Sequence, residues 1–214
     1  MEHIKKGCIA VRKSYKKDIL FKIRKIIKTK HGKIAILHGI TERIEADSPL
    51  EDLEILDTCS INKFLNDFNK KIDLRLQDSL SSKTLDKFNI GILSKNRNIK
   101  EKVITGKILH LDGDKHYTNK SYYYYKKLGL NAIVKNIPEY KQPKVIYSLL
   151  SIYQPDILVV TGHDGMIKRN VDYYDIYNYR NSKHFIETVK EARRYDSENK
   201  KNTVIFAGAC QSYF

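Results

Sequence analysis

Apolar residues recur with two different periods along this chain, and the change between them divides it. From Gly7 to Leu56 they fall in short runs, Cys8 to Val11, Ile19 to Ile26 and Lys33 to Leu37. Runs of that length, rich in β-branched residues, are strands. Turn signals at Ser14 to Asp18 and at His31-Gly32 separate them, and Ile44 to Leu53, with Pro49 marking a bend, closes the set. The spacing predicts a small five-stranded SH3-like or KOW-like β barrel over residues 1–57. From Thr58 to about Glu101 the chain turns polar, and Ile61, Phe64, Leu65, Phe68 and Ile72 follow helical spacing. A helical connector over 58–103 is expected, with a loop at Ser79 to Lys83.

From Ile104 strands and helices alternate. Lys107 to Leu111, Asn131 to Lys135, Asp156 to Val160 and Thr203 to Phe206 are strand-like, and Ser121 to Leu128, Lys144 to Tyr153 and Ser182 to Tyr195 are helix-like. That order is the signature of a mostly parallel sheet covered on both faces. The fold class is therefore α/β, a β barrel followed by an αβα sheet domain over 104–214. Right-handed crossovers bring the strand ends Asp112, His163 and Cys210 to one edge, where open α/β folds keep their sites.

Two of those ends carry chemistry. Ile157-Leu158-Val159-Val160 runs into Thr161-Gly162-His163-Asp164-Gly165, and Thr203-Val204-Ile205-Phe206 runs into Ala207-Gly208-Ala209-Cys210-Gln211. A free thiol near pKa 8.5 is only a few per cent thiolate at neutral pH. An imidazole beside it supplies the missing base and can later protonate a leaving amine. Gly162, Gly165 and Gly208 let a substrate backbone approach, with N–H groups near Cys210 and Asp164-Gly165 as oxyanion donors. The His-to-Cys separation is close to the roughly 50 residues of caspases. Gln211 follows the cysteine here, whereas in caspases a glutamine precedes it.

The other candidates are weaker. Asp112-Gly113-Asp114 carries two carboxylates to the same edge, able either to pair with a basic substrate side chain or to orient His163, or else to form a plain Asp-Gly turn. Asp164 fits a turn role or substrate contact. Asn181 or Ser182 is a good helix N-cap, His184 is a minor rival base, and Tyr122 to Tyr125 suits a helix packed on the sheet better than base stacking. Cys8 and Cys59 suit inert packing. No second histidine falls at ligand spacing near His163, which argues against a metal, and the thiol chemistry needs no cofactor.

Composition narrows the class. Of 214 residues, 41% are hydrophobic, enough for a core, and the net charge of +15 is spread along the chain. Such a charge favours acidic partners, but a Lys- and Ile-rich composition also arises from background genome bias, so charge alone assigns no function. Three widely spaced cysteines, Cys8, Cys59 and Cys210, argue against a disulfide framework. No apolar run reaches the length of a membrane span, so a soluble protein of a reducing compartment is expected. The alternative to an enzyme is a non-catalytic basic module binding RNA or an acidic surface.

The motifs Pro155 to Gly165, Tyr179-Arg180-Asn181-Ser182 and Phe206 to Phe214 resemble those of the YabG sporulation-specific peptidases of endospore-forming Firmicutes. Val11 to Tyr15, Asp18 to Ile23, Ala46 to Pro49, Asp52-Leu53 and Leu109 to Asp114 are similar to the same family. The resemblance implies a caspase-like cysteine endopeptidase with Cys210 as nucleophile and His163 as base. It implies an enzyme of the mother-cell cytoplasm that associates with the forming spore coat and processes coat and germination-related proteins, apparently after arginine. Asp112 or Asp114 as the carboxylate that recognises arginine is inferred from their place at the edge. The substrates would be spore coat proteins, with no membrane and no nucleic acid required and the oligomeric state open. Members of the family continue past Gly-Ala-Cys-Gln-Ser, so the sheet domain is expected to be C-terminally incomplete and the activity of this chain to be affected.

Overall fold

The computed structural model describes residues 4–30, 32–94, 106–167 and 172–213. It forms two compact units, Met1–Thr84 and Leu85–Phe214. The first contains β1 (Ile9–Arg12), β2 (Phe21–Thr29), β3 (Gly32–Gly39), β4 (Glu45–Pro49) and β5 (Leu53–Ile55). They make an antiparallel sheet in the order β4-β3-β2-β1-β5. Strand alternation explains its core: Phe21 and Ile23 are fully buried while Lys22 and Arg24 are exposed. Ala10, Ala35, Leu37 and Leu53 complete the cluster. The segment Ile44 to Leu53 is two strands separated by a short helical turn at Leu50–Asp52. Asp52 there accepts hydrogen bonds from the Ser14 backbone N–H (2.8 Å) and hydroxyl (2.7 Å), pinning the turn between β1 and β2.

Helix α1 (Thr58–Ser94) follows. Asp57 starts it, its carboxylate taking the Ser60 N–H at 2.7 Å. Ile61, Phe64, Leu65, Phe68 and Ile72, the stripe read from the sequence, are half-buried along its first turns. The expected loop at Ser79 to Lys83 is instead helical. No glycine or proline falls among residues 79–83, and the Ser79 hydroxyl, which could have competed with the helix, donates back to the Arg75 carbonyl at 2.9 Å. Cys59, expected to pack, is exposed in the first turn of this helix, whereas Cys8 is half-buried against the β core.

The second unit is a four-stranded parallel sheet. Its elements are β6 (Ile108–Asp112), α2 (Lys115–Lys127), β7 (Ala132–Asn136), α3 (Gln142–Tyr153), β8 (Ile157–Gly162), α4 (Ser182–Asn199) and β9 (Val204–Ala209). The strand order is β7-β6-β8-β9. Every residue of β6 is buried, as a central parallel strand covered on both faces requires. Leu109 and Leu111 join Leu158, Val160, Ile146, Leu150, Phe185 and Ala192 in the core under α3 and α4. His110, on the opposite face, meets Tyr125 of α2. Together the units are a mixed α/β protein with one antiparallel and one parallel sheet.

Helix α2 starts six residues earlier than the sequence pattern suggests. Asp114 caps it, one carboxylate oxygen accepting the N–H groups of His116 (2.7 Å) and Tyr117 (3.3 Å). The polar first turn, Lys115 to Lys120, hid the helix from a reading based on apolar periodicity.

Candidate active site

The order of the parallel sheet reverses between β6 and β8: β7 lies to one side, and β8 leads on to β9 on the other. At such a switch point the connections leave in opposite directions and open a crevice at the carboxyl ends of the strands. Asp112-Gly113-Asp114 ends β6, Gly162-His163-Asp164-Gly165 ends β8 and Ala209-Cys210-Gln211 ends β9. The last residues paired between β8 and β9 are Gly162 and Ala209. His163 and Cys210 are therefore the next residues on neighbouring strands.

His163 is held at three points. Its backbone N–H donates to Glu139 Oε1 at 2.7 Å, its carbonyl accepts from Asn181 Nδ2 at 2.7 Å, and its ring Nε2 lies 3.0 Å from Asp114 Oδ2. A carboxylate can only accept, so this contact puts the ring proton on Nε2 and leaves Nδ1 as the basic nitrogen. The ring edge of Tyr117 meets the imidazole at a centroid distance of 6.1 Å. Partial burial pushes the Asp114 carboxyl up, but the hydrogen bonds from His163, His116 and Tyr117, together with the charge of His163, outweigh it. The net position is below the usual carboxylate range.

Asp164, beside His163, is turned away from the crevice and buried, with 7% of its surface exposed. One oxygen accepts the N–H groups of Gly165 and Asn181, both at 2.8 Å, and the other accepts the Ser182 hydroxyl. This carboxylate thus sits at the N-terminus of α4, where the helix dipole favours it. The cap predicted for Asn181 is absent as such: its side chain reaches the His163 carbonyl, and Asp164 serves the helix end from another loop. Ser182 Oγ also accepts the Tyr213 N–H at 2.9 Å, tying in the segment after β9. Cys210 is exposed, and its Sγ is 3.9 Å from the Asp164 carbonyl oxygen.

The remaining predicted positions lie around this group. Gly165 has φ +156° and faces the Gln211 side chain, and the space beside Gly208 is open. A side chain at Gly162 would run into Glu139, with a built Cβ 2.7 Å from Glu139 Cγ. Asp112 is 2% exposed. Its oxygens take the Asp114 N–H and the Thr161 hydroxyl, each at 2.7 Å. Since Thr161 donates there, it must accept from His110 Nε2 at 2.7 Å, which leaves His110 Nδ1 to accept from Tyr125 at 3.2 Å. This buried chain braces the loop that carries Asp114.

Sequence reasoning missed Glu139, in the short turn after β7, and the chain from Tyr125 to Asp112. No periodicity marks either; the signal for Glu139 was the pair of glycines, Gly113 and Gly162, whose missing side chains make its room. His184 lies on α4, 3.4 Å from Glu187. Tyr122 and Tyr123 are exposed on α2. Among the described residues no group of three His, Cys, Asp or Glu side chains is placed to hold a metal ion.

Three comparisons bear on this geometry. The sequence model of the family described as YabG peptidase U57 matches residues 5–214. The sporulation-specific protease YabG of Bacillus subtilis (strain 168) is 39% identical over 212 residues, which cover 97% of this chain and 73% of that protein. A solved structure of the A-PCP didomain of carboxylic acid reductase from Segniliparus rugosus, in complex with AMP, aligns with 95% of this chain and 23% of its own. Its 11% identity and TM-score of 0.24 carry no argument about fold or function.

Proposed function

The chain belongs to the YabG family of peptidases, and from that membership we propose that it is a cysteine endopeptidase acting during sporulation, with Cys210 as nucleophile and His163 as its base. The observation that carries this reading is the register of β8 and β9, which ends at Gly162 and Ala209 and sets imidazole and thiol on neighbouring strand ends. The Cys210 proton passes to His163 Nδ1 as sulfur attacks the scissile carbonyl. The peptide C–N bond then breaks, the leaving amine takes that proton, and a thioester remains on Cys210. Water, deprotonated by His163, hydrolyses the thioester and restores the thiol. The backbone N–H group at Cys210 is the donor for the oxyanion, since the Gly165 N–H is held by the Asp164 carboxylate, with Gly208 and Gln211 lining the approach. Asp114 orients the imidazole and stabilises its charged form, the part played by the third member of a triad.

The substrates in this proposal are spore coat and germination-related proteins, cut after arginine by an enzyme of the mother cell. Of the two carboxylates after β6, Asp114 is the one a guanidinium could reach, since Asp112 is buried. The antiparallel sheet is read as an SH3-like barrel, supported by its five short strands. The parallel sheet is read as caspase-like, supported by the strand order and by the histidine and cysteine on adjacent ends. The test is cleavage of a coat-protein extract by the intact chain and by Cys210→Ala and His163→Ala. Both variants should lose processing while melting as the parent does; full cleavage by Cys210→Ala removes the proposal.

A further inference from the structure

Glu139 stands outside every motif of the sequence, yet the carboxyl edge is built around it. Its carboxylate accepts the backbone N–H of His163 at 2.7 Å. Two glycines clear its path: built Cβ atoms at Gly113 and Gly162 would both lie inside contact distance of its side chain. Neither glycine adopts a positive φ, so what these positions require is space, not unusual backbone. The ends of β6 and β8 are thus shaped to admit one acidic side chain between them, directly behind the imidazole-bearing residue.

We propose that Glu139 is a positioning residue of the site, fixing the backbone of His163 at its N–H while Asn181 fixes it at its carbonyl, and holding the imidazole toward its charged form. The inference rests on the assignment of His163 as the base. Asp114 meets His163 at ring Nε2, the Tyr117 ring of α2 packs on the imidazole and Glu139 takes its backbone N–H, while Cys210 follows the neighbouring strand β9. The Asp164 carboxylate is turned to α4. Asp114 and Glu139 are thus two negative charges on two sides of one histidine, and a nearby negative charge favours imidazolium. A thiolate beside it gains the same partner, which is the state a cysteine nucleophile needs.

The substitutions separate the two effects. Glu139→Gln keeps an oxygen to accept the N–H and removes only the charge. Glu139→Ala removes both, and Gly162→Ala expels the carboxylate without touching it chemically. The readout is the nitrogen-detected NMR titration of the His163 imidazole in the intact chain, with Asp114→Asn as the reference for a lost charge. Glu139→Gln and Gly162→Ala should each lower the His163 midpoint by about half to one pH unit, roughly a three- to tenfold change in proton dissociation. In peptide cleavage Glu139→Ala should lower kcat more than Glu139→Gln does, with KM little changed. A His163 midpoint at the parent value in both Glu139→Gln and Gly162→Ala, while Asp114→Asn shifts it, overturns the proposal. Should His163→Ala leave cleavage intact, it is the assignment of the base that fails, a separate result.

Discussion

Replacing Asp164 tests how the loops of the site are held. Its carboxylate is 7% exposed and accepts three hydrogen bonds, from the N–H of Gly165, the N–H of Asn181 and the hydroxyl of Ser182. Asp164→Ala leaves those donors facing a space that water reaches poorly. A buried donor without an acceptor costs about 1–3 kcal/mol, so three of them, with some rehydration allowed, set the loss at about 3–5 kcal/mol. For a chain of this size each kcal/mol moves the midpoint by roughly 2–4 °C, which predicts a fall of about 6–20 °C. Asp164→Asn keeps an oxygen for the two backbone donors but turns an amide donor on Ser182, whose oxygen already takes the Tyr213 N–H; about 1–2 kcal/mol is expected. Ser182→Ala should cost a similar amount. Because the two residues share one hydrogen bond, the double variant should fall short of the sum of the singles. Calorimetry with urea melts reads the parent and all four variants. A midpoint for Asp164→Ala within about 2 °C of the parent refutes the reasoning, because the carboxylate would then be holding nothing.

Asp114→Asn should leave the fold intact and lower kcat/KM for peptide cleavage by about 10²- to 10⁴-fold, the range set by losing the orientation and charge partner of a catalytic imidazole; peptide kinetics check this. The Asp114 carboxyl lies below its ordinary range when folded, so its contribution to stability is present above about pH 4 and is lost as pH falls through the lowered folded value. Acid unfolding curves of the parent and Asp114→Asn should therefore converge in strong acid and separate toward neutrality. Iodoacetamide near neutral pH should label Cys210 faster than Cys59, although both are exposed, and leave Cys8 slowest; equal rates for Cys210 and Cys59 mean that no base activates the former. In the core under α3 and α4, Leu109→Ala should cost about 2–5 kcal/mol by urea melt, as a fully buried leucine does.

Much of this architecture is written in local patterns. The four apolar runs after Ile104 became four parallel strands because each is long enough for one strand and is separated from the next by a helix-length segment. The glycine-flanked ends Gly162-His163 and Ala209-Cys210 emerged together because parallel strands with crossover helices leave no other edge for them. What stayed hidden depends on contacts between segments distant in sequence. Glu139 reaches His163 across 24 positions and Asp164 reaches Asn181 and Ser182 across 17 and 18, and no periodicity encodes such bonds. Where a residue has two uses, the pattern shows one at most: it offered Asp112 or Asp114 as partners of His163, but not that Asp114 caps α2 with one oxygen while it meets His163 with the other. The helix through Ser79 to Lys83 is hidden for the opposite reason, since a serine such as Ser79 that favours a turn in isolation is absorbed by a helix when its hydroxyl bonds back along it.

Covalent capture is the most direct test of the pairing of Cys210 with His163. The intact chain is treated with a peptidyl-arginyl acyloxymethyl ketone, digested, and each cysteine peptide is weighed by mass spectrometry. The account predicts one adduct, on Cys210, formed readily in the parent and suppressed in His163→Ala, with exposed Cys59 unmodified over the same period. An adduct shared equally by Cys59 and Cys210, or one on Cys210 that forms as fast without His163, would contradict it.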